Sequence, residues 1–132
     1  MSLLPEDYKY TQDHEWVMPI GNGKTARIGL TDFAQKQLGD VVYVELPETG
    51  RALDAGEPLG SVESVKAVSE IYAPIDGTVA TVNTRLDSEP ELLNEDPYGD
   101  AWVVELTLTD PGSLAGLLTA EQYRTYIEAT NE

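Results

Sequence analysis

A lysine set among valines is the feature of this sequence with the clearest chemical potential. Lys66 lies in the segment SVESVKAVSE, residues 61–70, in which Val62, Val65 and Val68 recur at every third position. A lysine in such surroundings can be a solvated surface residue, can pair with a nearby carboxylate, or can be the point at which another enzyme attaches a group. The residue pattern alone leaves these three alternatives open.

The composition excludes several other kinds of chemistry. The chain has no cysteine and a single histidine, His14, so it lacks a thiol nucleophile, a disulfide framework, a thiolate zinc site and a multi-histidine metal site. One histidine without a partner is a weak case for a catalytic base. We therefore interpret His14, which lies beside Trp16, as a packing and hydrogen-bonding residue. The sequence predicts neither a catalytic residue nor a metal site.

The chain is strongly acidic, with a formal net charge of −16 from 24 acidic and 8 basic residues. Phosphate binding depends on lysine and arginine, so this balance argues against nucleic acid as a partner. An acidic coat keeps a protein soluble and monomeric, and it also steers a protein towards basic surfaces on its partners. We expect a monomer in which both effects operate.

The length and the hydropathy pattern predict a single cytoplasmic domain, residues 1–132. No linker divides the 132 residues, and a chain of this size buries about two thirds of its unfolded surface. The first residues resemble neither a signal peptide nor a transit peptide, and no apolar run approaches the roughly 20 residues that span a bilayer. We therefore expect no membrane contact, and the absence of cysteine suits a reducing compartment.

Most of the chain is predicted to form short β-strands. TARIGL, residues 25–30, alternates as a strand does, and VVYVELPETG, residues 41–50, is rich in β-branched and aromatic residues. DAWVVELTLTD, residues 100–110, places four apolar residues on one face, namely Trp102, Val104, Leu106 and Leu108. An Asp-Gly turn signal lies at Asp76 and Gly77. Short strands with turns between them predict a β-sandwich or barrel.

Two helices complete the predicted architecture. The first is a short helix in TDFAQKQLG, where Thr31 or Asp32 can cap the start, Gln35 lies at capping-box spacing from Asp32, and Gly39 ends it. The second is a C-terminal helix in TAEQYRTYIEA, residues 119–129, with Thr119 as its cap. Three of its apolar residues share one face and are expected to pack on the sheet, namely Tyr123, Tyr126 and Ile127.

The segment around Lys66 favours two strands over one helix, because it is rich in β-branched residues and is bounded by Pro58 and Pro74. We predict that the chain folds back near Val65, so that Val62 faces Val68 and Leu59 faces Ile71 across a hairpin. Lys66 would then lie at the tip, exposed to solvent. The turn contains no glycine, asparagine or aspartate, the residues that tight hairpins prefer.

Four stretches of the chain, in order and spacing, resemble the H protein family of the glycine cleavage system. They are YTQDHEWV (10–17), IGLTDFAQKQLGDVVYVELPETG (28–50), GSVESVKAVSEIYAPIDG (60–77) and NEDPYGDAWVVEL (94–106). The resemblance implies a mainly β fold, a barrel-like sandwich of the hybrid lipoyl- and biotinyl-carrier type, with the modified lysine on an exposed hairpin. Lys66 of ESVKA matches the lysine to which the family joins lipoic acid by an amide.

The resemblance implies a carrier and not an enzyme. In the family, a lipoyl arm accepts methylamine from glycine at a pyridoxal-phosphate glycine decarboxylase (P protein) and delivers it to a tetrahydrofolate-dependent aminomethyltransferase (T protein). A dihydrolipoamide dehydrogenase (L protein) reoxidises the arm, and a lipoyl ligase or transferase attaches it. A long, flexible lysine stem suits this task, because one reactive group can then visit several active sites at high effective concentration.

By the same resemblance, the loaded arm rests in a surface cleft, where a carboxylate holds its ammonium group by a charge-assisted hydrogen bond. The matching carboxylate is Glu15 of DHEW; Glu70 and Asp13 are further cleft candidates, and the helix after Thr31 is a possible wall. The sequence departs from the family pattern at two of these positions. Asp13 replaces an expected small hydroxyl residue, and Glu70 replaces a frequent aspartate.

Two other carriers remain as alternatives. A biotin carrier would also place a lysine on a hairpin, but that family typically brackets the lysine with methionines, and Val65 and Ala67 occupy those places here. An H-like protein could use the same fold for lipoate relay or for a regulatory partner. The retained DHEW and NEDPYG blocks favour glycine cleavage.

Overall fold

The computed structural model describes residues 7–20 and 23–130 as a sandwich of two antiparallel sheets. The larger sheet has six strands, which lie in the spatial order β1 (Lys9–Tyr10), β2 (Glu15–Ile20), β3 (Thr25–Leu30), β9 (Val104–Leu108), β8 (Gly77–Val82) and β5 (Ala52–Leu53). The smaller sheet has three strands, in the order β4 (Val41–Glu45), β6 (Pro58–Ser64) and β7 (Val68–Tyr72). The predicted mainly β fold is confirmed.

Short helices connect and cover the sheets. They are α1 (Asp32–Leu38), α2 (Arg85–Ser88), α3 (Leu92–Glu95) and the C-terminal α4 (Ala120–Thr130), with a 3₁₀ helix at Pro111–Gly116. Within the described residues, no helix combines the length and the apolar character needed to cross a membrane.

The main core lies between the sheets, and an aromatic cluster holds α4 to the edge of the larger one. Ile28 and Leu106 from the larger sheet and Val62 and Ile71 from the smaller sheet are almost fully buried in one apolar cluster. In the aromatic cluster, the rings of Tyr10 and Tyr123 stack with centroids 4.9 Å apart. The strands and α4 thus bury the faces that the hydrophobic pattern marks as apolar.

The predicted helix caps are present in the structure. Thr31 caps α1 by accepting the Ala34 N–H at 3.2 Å, and Gly39 ends α1 with a φ of 78°. At the start of α4, the Gln122 N–H donates to the Thr119 hydroxyl and the Thr119 N–H donates to the Gln122 side chain, which is a complete capping box.

The predicted hairpin is confirmed, but its predicted register is wrong by one residue. β6 and β7 pair Val62 with Ser69 and Glu63 with Val68, because the turn is centred between Val65 and Lys66 and not on Val65. A one-residue slip in register moves side chains to the other face of a sheet. Val68 therefore points outward, opposite Glu63, and is 69% exposed.

Asn94 at the end of α3 holds the turn between α1 and β4. Its side-chain oxygen accepts the Val41 N–H at 2.9 Å, and its amide nitrogen donates to the Gly39 carbonyl at 2.8 Å and to the Gln35 side chain at 3.0 Å. The Asn94 amide thus forms hydrogen bonds with the end of α1, the start of β4 and a side chain of α1. The spacing of residues in the NEDPYG block does not indicate this long-range role.

Asn94→Asp should destabilise the protein, because a carboxylate cannot donate to the Gly39 carbonyl or to the Gln35 oxygen. We expect the free energy of unfolding to fall by about 2–3 kcal/mol, since two acceptors lose their donor and face a negative charge. Urea denaturation provides the measurement. Gln37→Glu, which makes the same amide-to-carboxylate change at an exposed position of α1, should have little effect, and equal losses in the two variants would contradict the role of Asn94.

Candidate functional site

The turn that carries Lys66 is closed by a serine. The Ser64 N–H donates to the Ala67 carbonyl at 2.8 Å, and the Ser64 hydroxyl oxygen accepts the N–H groups of Ala67 at 3.1 Å and of Lys66 at 3.3 Å. None of residues 64–67 has a positive φ, so the turn needs no glycine or asparagine. Ser64 is almost fully buried, and its hydroxyl oxygen accepts backbone N–H groups that have other acceptors in a turn built on glycine. A serine at a turn is the signal that could have identified this closure from sequence.

The hairpin tip also rests on the turn between α1 and β4. The Val65 N–H donates to the Asp40 carbonyl at 3.0 Å. The stem of Lys66 passes over Gly39, and a β-carbon placed on Gly39 would lie 3.5 Å from Lys66 Cε. Lys66 is exposed. The lysine is therefore accessible while the backbone beneath it is held on two sides.

A cleft of about 320 Å³ opens beside the hairpin, between β7 and α1. Its apolar lining includes Leu30, Ala34, Leu38, Val62, Ala67, Val68 and Ile71, and its polar lining consists of Asp13, His14, Gln37, Ser69 and Glu70. The structure thus brings Asp13 and Glu70, two of the predicted site residues, to one cleft that begins next to Lys66. Such a cleft suits a flexible apolar chain that ends in a cation.

Glu15, the third carboxylate predicted from the resemblance, lies behind this lining. It is 1% exposed, and its Oε2 accepts the Tyr72 N–H at 2.8 Å, while the Thr11 hydroxyl donates to Oε1 at 3.4 Å. The described residues that line the cleft do not include Glu15. Its carboxyl group joins the start of β2 to the free edge of β7, which forms one side of the cleft.

Burial raises the pKa of Glu15 from its ordinary value of 4.5 to about 8, and the nearby negative charge of Asp13 adds to the effect. The hydrogen bonds from Tyr72 and Thr11 favour the carboxylate and oppose the shift. Burial therefore favours the protonated form of Glu15 to a higher pH than is usual for a carboxyl group. A cation brought near it would lower its pKa again, because an opposite charge stabilises the ionised form.

His14 forms part of the cleft wall in an unusual backbone conformation. Its φ is 67°, in the left-handed region that non-glycine residues rarely adopt. His14 Nδ1 and the Tyr123 hydroxyl are 2.8 Å apart, and the same hydroxyl is 2.8 Å from Thr31 Oγ1. Burial lowers the pKa of His14, although Asp13 opposes the shift. The predicted hydrogen-bonding role of His14 is confirmed, and the Tyr123 hydroxyl connects α4 to His14 and to Thr31 at the start of α1.

Other clusters of potential ligands offer little chemistry. Among the described residues, no group of three or more His, Cys, Asp or Glu side chains is placed to hold a metal ion. Tyr98 of the NEDPYG block accepts the Asp32 N–H at 3.0 Å and so supports the start of α1. This contact, like the Asn94 contacts, is a supporting role that spacing along the chain does not reveal.

The raised pKa of Glu15 predicts a pH dependence of stability. Its carboxyl group contributes stability that is fully present below the unfolded value of about 4.5 and is lost as the pH rises through about 8. The free energy of unfolding should therefore decrease between pH 5 and pH 9, and Glu15→Gln should reduce this decrease. Denaturant unfolding across this range tests the prediction. Glu70→Gln, at an exposed position, is the control, and parallel profiles for wild type and Glu15→Gln would contradict the assignment.

Comparisons with known proteins agree with this arrangement. The sequence model of the family described as glycine cleavage H-protein matches residues 8–130. The glycine cleavage system H protein of Micrococcus luteus is 53% identical over 126 residues, which cover 96% of this chain and 98% of that relative. The corresponding protein of Chromohalobacter salexigens is 49% identical over 132 residues, the full length of both chains.

A solved structure is similar over nearly the whole chain. The crystal structure of a glycine cleavage system H protein from Mycobacterium marinum superimposes with a TM-score of 0.83 at 38% sequence identity, and the match covers 98% of this chain and 100% of that one. The chain belongs to the glycine cleavage H-protein family, whose members are non-catalytic carriers with a lipoyl group bound covalently to a lysine.

Proposed function

We propose that Lys66 is the lipoylated lysine and that this chain carries the methylamine group of glycine between the enzymes of the glycine cleavage system. The observation that supports this most strongly is the position of Lys66 at the tip of an anchored hairpin, followed directly by cleft residues Ala67 and Val68. A group attached to Lys66 Nζ starts at the rim of a cleft that can receive it. Lys36, by contrast, lies on α1 and pairs with Asp32 at 3.0 Å.

The lipoyl group supplies disulfide redox chemistry, which no side chain of this cysteine-free protein offers. The residues of the chain position the arm and protect its cargo. Ser64 and the Asp40 carbonyl hold the backbone under Lys66, so the motion of the arm resides in the lysine stem and the attached chain. A fixed origin and a flexible arm give each partner enzyme a high effective concentration of the reactive group.

We infer that the cleft shields the methylamine-loaded arm from water. The apolar lining from Leu30, Ala34 and Leu38 suits the hydrocarbon part of the arm. The carboxylates of Asp13 and Glu70 are placed to accept charge-assisted hydrogen bonds from the terminal ammonium group. Burial favours the neutral form of Glu15 behind them, and a nearby cation favours its carboxylate, which would add attraction in the loaded state.

Membership of the glycine cleavage system implies the P, T and L proteins as partners. We further propose that a lipoyl ligase or transferase attaches the arm and that the chain acts as a monomeric, single carrier domain, residues 1–132, in the cytoplasm. The acidic surface supports a monomer, because the negative charges of two copies repel each other. The same negative charges attract basic surfaces on partner proteins.

Lys66→Arg should abolish lipoylation while it preserves the fold and the charge, because a guanidinium does not form the amide. Treatment with lipoate ligase, lipoate and ATP, followed by intact-mass measurement and peptide mapping, gives the readout. Wild type and the control Lys36→Arg should each gain one lipoyl group, located on Lys66. A lipoyl group on Lys66→Arg, or on another lysine of the wild type, would contradict the assignment.

Glu15→Gln and Glu70→Gln should each shorten the lifetime of the methylamine-loaded arm. Loss of one charge-assisted hydrogen bond or of an ionisable neighbour is expected to accelerate the release of formaldehyde about tenfold. The rate is measured on loaded, desalted protein. Glu63→Gln removes the same charge on β6 outside the cleft and should leave the rate unchanged. If Glu15→Gln and Glu70→Gln release formaldehyde at the same rate as the wild type and the control Glu63→Gln, the cleft does not hold the arm through Glu15 or Glu70.

A further inference from the structure

Exposed apolar surface is concentrated around the lysine hairpin. Within the described residues, four large hydrophobic side chains are at least half exposed, namely Val42 (50%), Tyr43 (52%), Val65 (69%) and Val68 (69%). All four belong to the smaller sheet or to its hairpin turn. Single exposed hydrophobic residues are ordinary on a protein surface, but a cluster next to a modified residue indicates a contact surface.

Strand pairings and a turn contact relate these residues, which we call the hairpin patch (Val42, Tyr43, Val65, Val68); Val42 lies directly before Tyr43, where the β4–β6 register shifts. Tyr43 pairs with Glu63, and Glu63 pairs with Val68, so the three side chains lie in one row across the outer face of the smaller sheet. The Val65 N–H donates to the Asp40 carbonyl, which keeps the hairpin tip close to the start of β4. The patch is therefore a pre-formed surface on strands and on an anchored turn.

Acidic groups border the hairpin patch. Glu63 lies in the row between Tyr43 and Val68, and an open groove of about 860 Å³ continues from Val68 along the same sheet. Three carboxylates line that groove, from Glu45, Glu48 and Glu70, together with the cation of Arg51. A surface of apolar side chains with the Glu63 carboxylate among them and a mostly acidic groove beside them is complementary to a partner surface that combines apolar and basic groups.

We propose that the hairpin patch is the docking surface of the enzyme that acylates Lys66; this inference rests on the lipoylation proposed above. The acylating enzyme meets the bare lysine, whose four-carbon stem is short, so its active site must come close to the hairpin backbone. Enzymes that act on the finished arm meet a reactive group much farther from the patch. The residues directly around the tip therefore belong to the footprint of the acylating enzyme.

The chemistry of acyl transfer agrees with the properties of the hairpin patch. An enzyme that presents lipoate as an acyl adenylate needs an apolar channel for the hydrocarbon chain and cationic groups for the phosphate. The neutral Nζ amine attacks the acyl carbon, the C–N bond forms, the C–O bond to phosphate breaks, AMP leaves with the electron pair, and the amine loses one proton. Apolar and cationic groups around the mouth of such a channel would be complementary to the valines and Tyr43 and to the neighbouring carboxylates.

The double variant Tyr43→Thr, Val65→Thr tests the proposal. Both substitutions place β-branched threonine at a position in or beside a strand and keep the net charge, and neither residue lines the cleft. The measurement is kcat/KM for lipoylation by lipoate ligase at limiting carrier concentration. We expect a fall of about tenfold, mainly through KM, because central apolar and aromatic residues dominate binding energy. The matched control, Thr78→Ala with Thr81→Ala, removes exposed methyl groups from the larger sheet and should be lipoylated at the wild-type rate.

The same variant separates the acylating enzyme from other partners. After exhaustive lipoylation, it should support glycine decarboxylase turnover within about twofold of the wild type. If the double variant is lipoylated at the wild-type rate, the docking assignment is wrong while the proposed function stands. The same conclusion follows if the double variant loses as much decarboxylase turnover as lipoylation rate. Failure of the wild type to accept a lipoyl group on Lys66 in the same reaction would instead overturn the proposed function. Circular dichroism of each variant shows whether it is folded, so that a lower rate of lipoylation is not mistaken for unfolding.

Discussion

The amide of Asn94 is the contact on which the position of the lysine depends. It binds Gly39, Val41 and Gln35 at once, and so it fixes the turn in which α1 ends and β4 begins. That turn presents the Asp40 carbonyl to the Val65 N–H, one residue before Lys66. A side chain from the NEDPYG block thus locates the hairpin relative to α1, and with it the width of the cleft between α1 and β7. Because a single side chain makes all three hydrogen bonds, the helix end, the strand start and the hairpin are coupled.

The two sides of the hairpin serve different purposes. On the edge of β7 that faces α1, a cleft with apolar walls and carboxylates is suited to hold a charged cargo. On the outer face of the smaller sheet, the exposed valines and Tyr43 form a surface that is suited to a partner protein. Val68 contributes to both, since it lies at the hairpin edge with most of its side chain exposed. The two surfaces to which we assign cargo protection and partner contact therefore adjoin at Val68.

Hydrogen-bonded polar groups lie behind the cleft. Glu15 is buried with its carboxyl group bonded to Tyr72 and Thr11, and the Tyr123 hydroxyl contacts both His14 and Thr31. Buried polar groups are tolerated when they are hydrogen-bonded, and such networks specify one arrangement of the elements that they join. The left-handed backbone of His14 persists because its ring is held between Tyr123 and Phe33. In this way α4, which is remote in sequence, stabilises the wall of the cleft.

The sequence by itself determined the mainly β class, the short helix after Thr31 with its cap and its terminal Gly39, the C-terminal helix capped by Thr119, and the hairpin around Lys66. The strands and the helix ends follow from local chemistry, namely alternation and capping, which act over a few positions. The hairpin follows from the β-branched composition between Pro58 and Pro74 and from the family resemblance, because its turn lacks the residues that tight hairpins prefer. The tertiary structure decided the hairpin register, because the turn is held from outside by the Asp40 carbonyl, which accepts the Val65 N–H. It also decided that Asp13 and Glu70 face one cleft while Glu15 lies behind it, and that Asn94 holds a turn more than fifty residues away. These contacts join residues that are distant in the chain. No local periodicity encodes which distant polar groups the Asn94 amide or the Glu15 carboxyl group will contact.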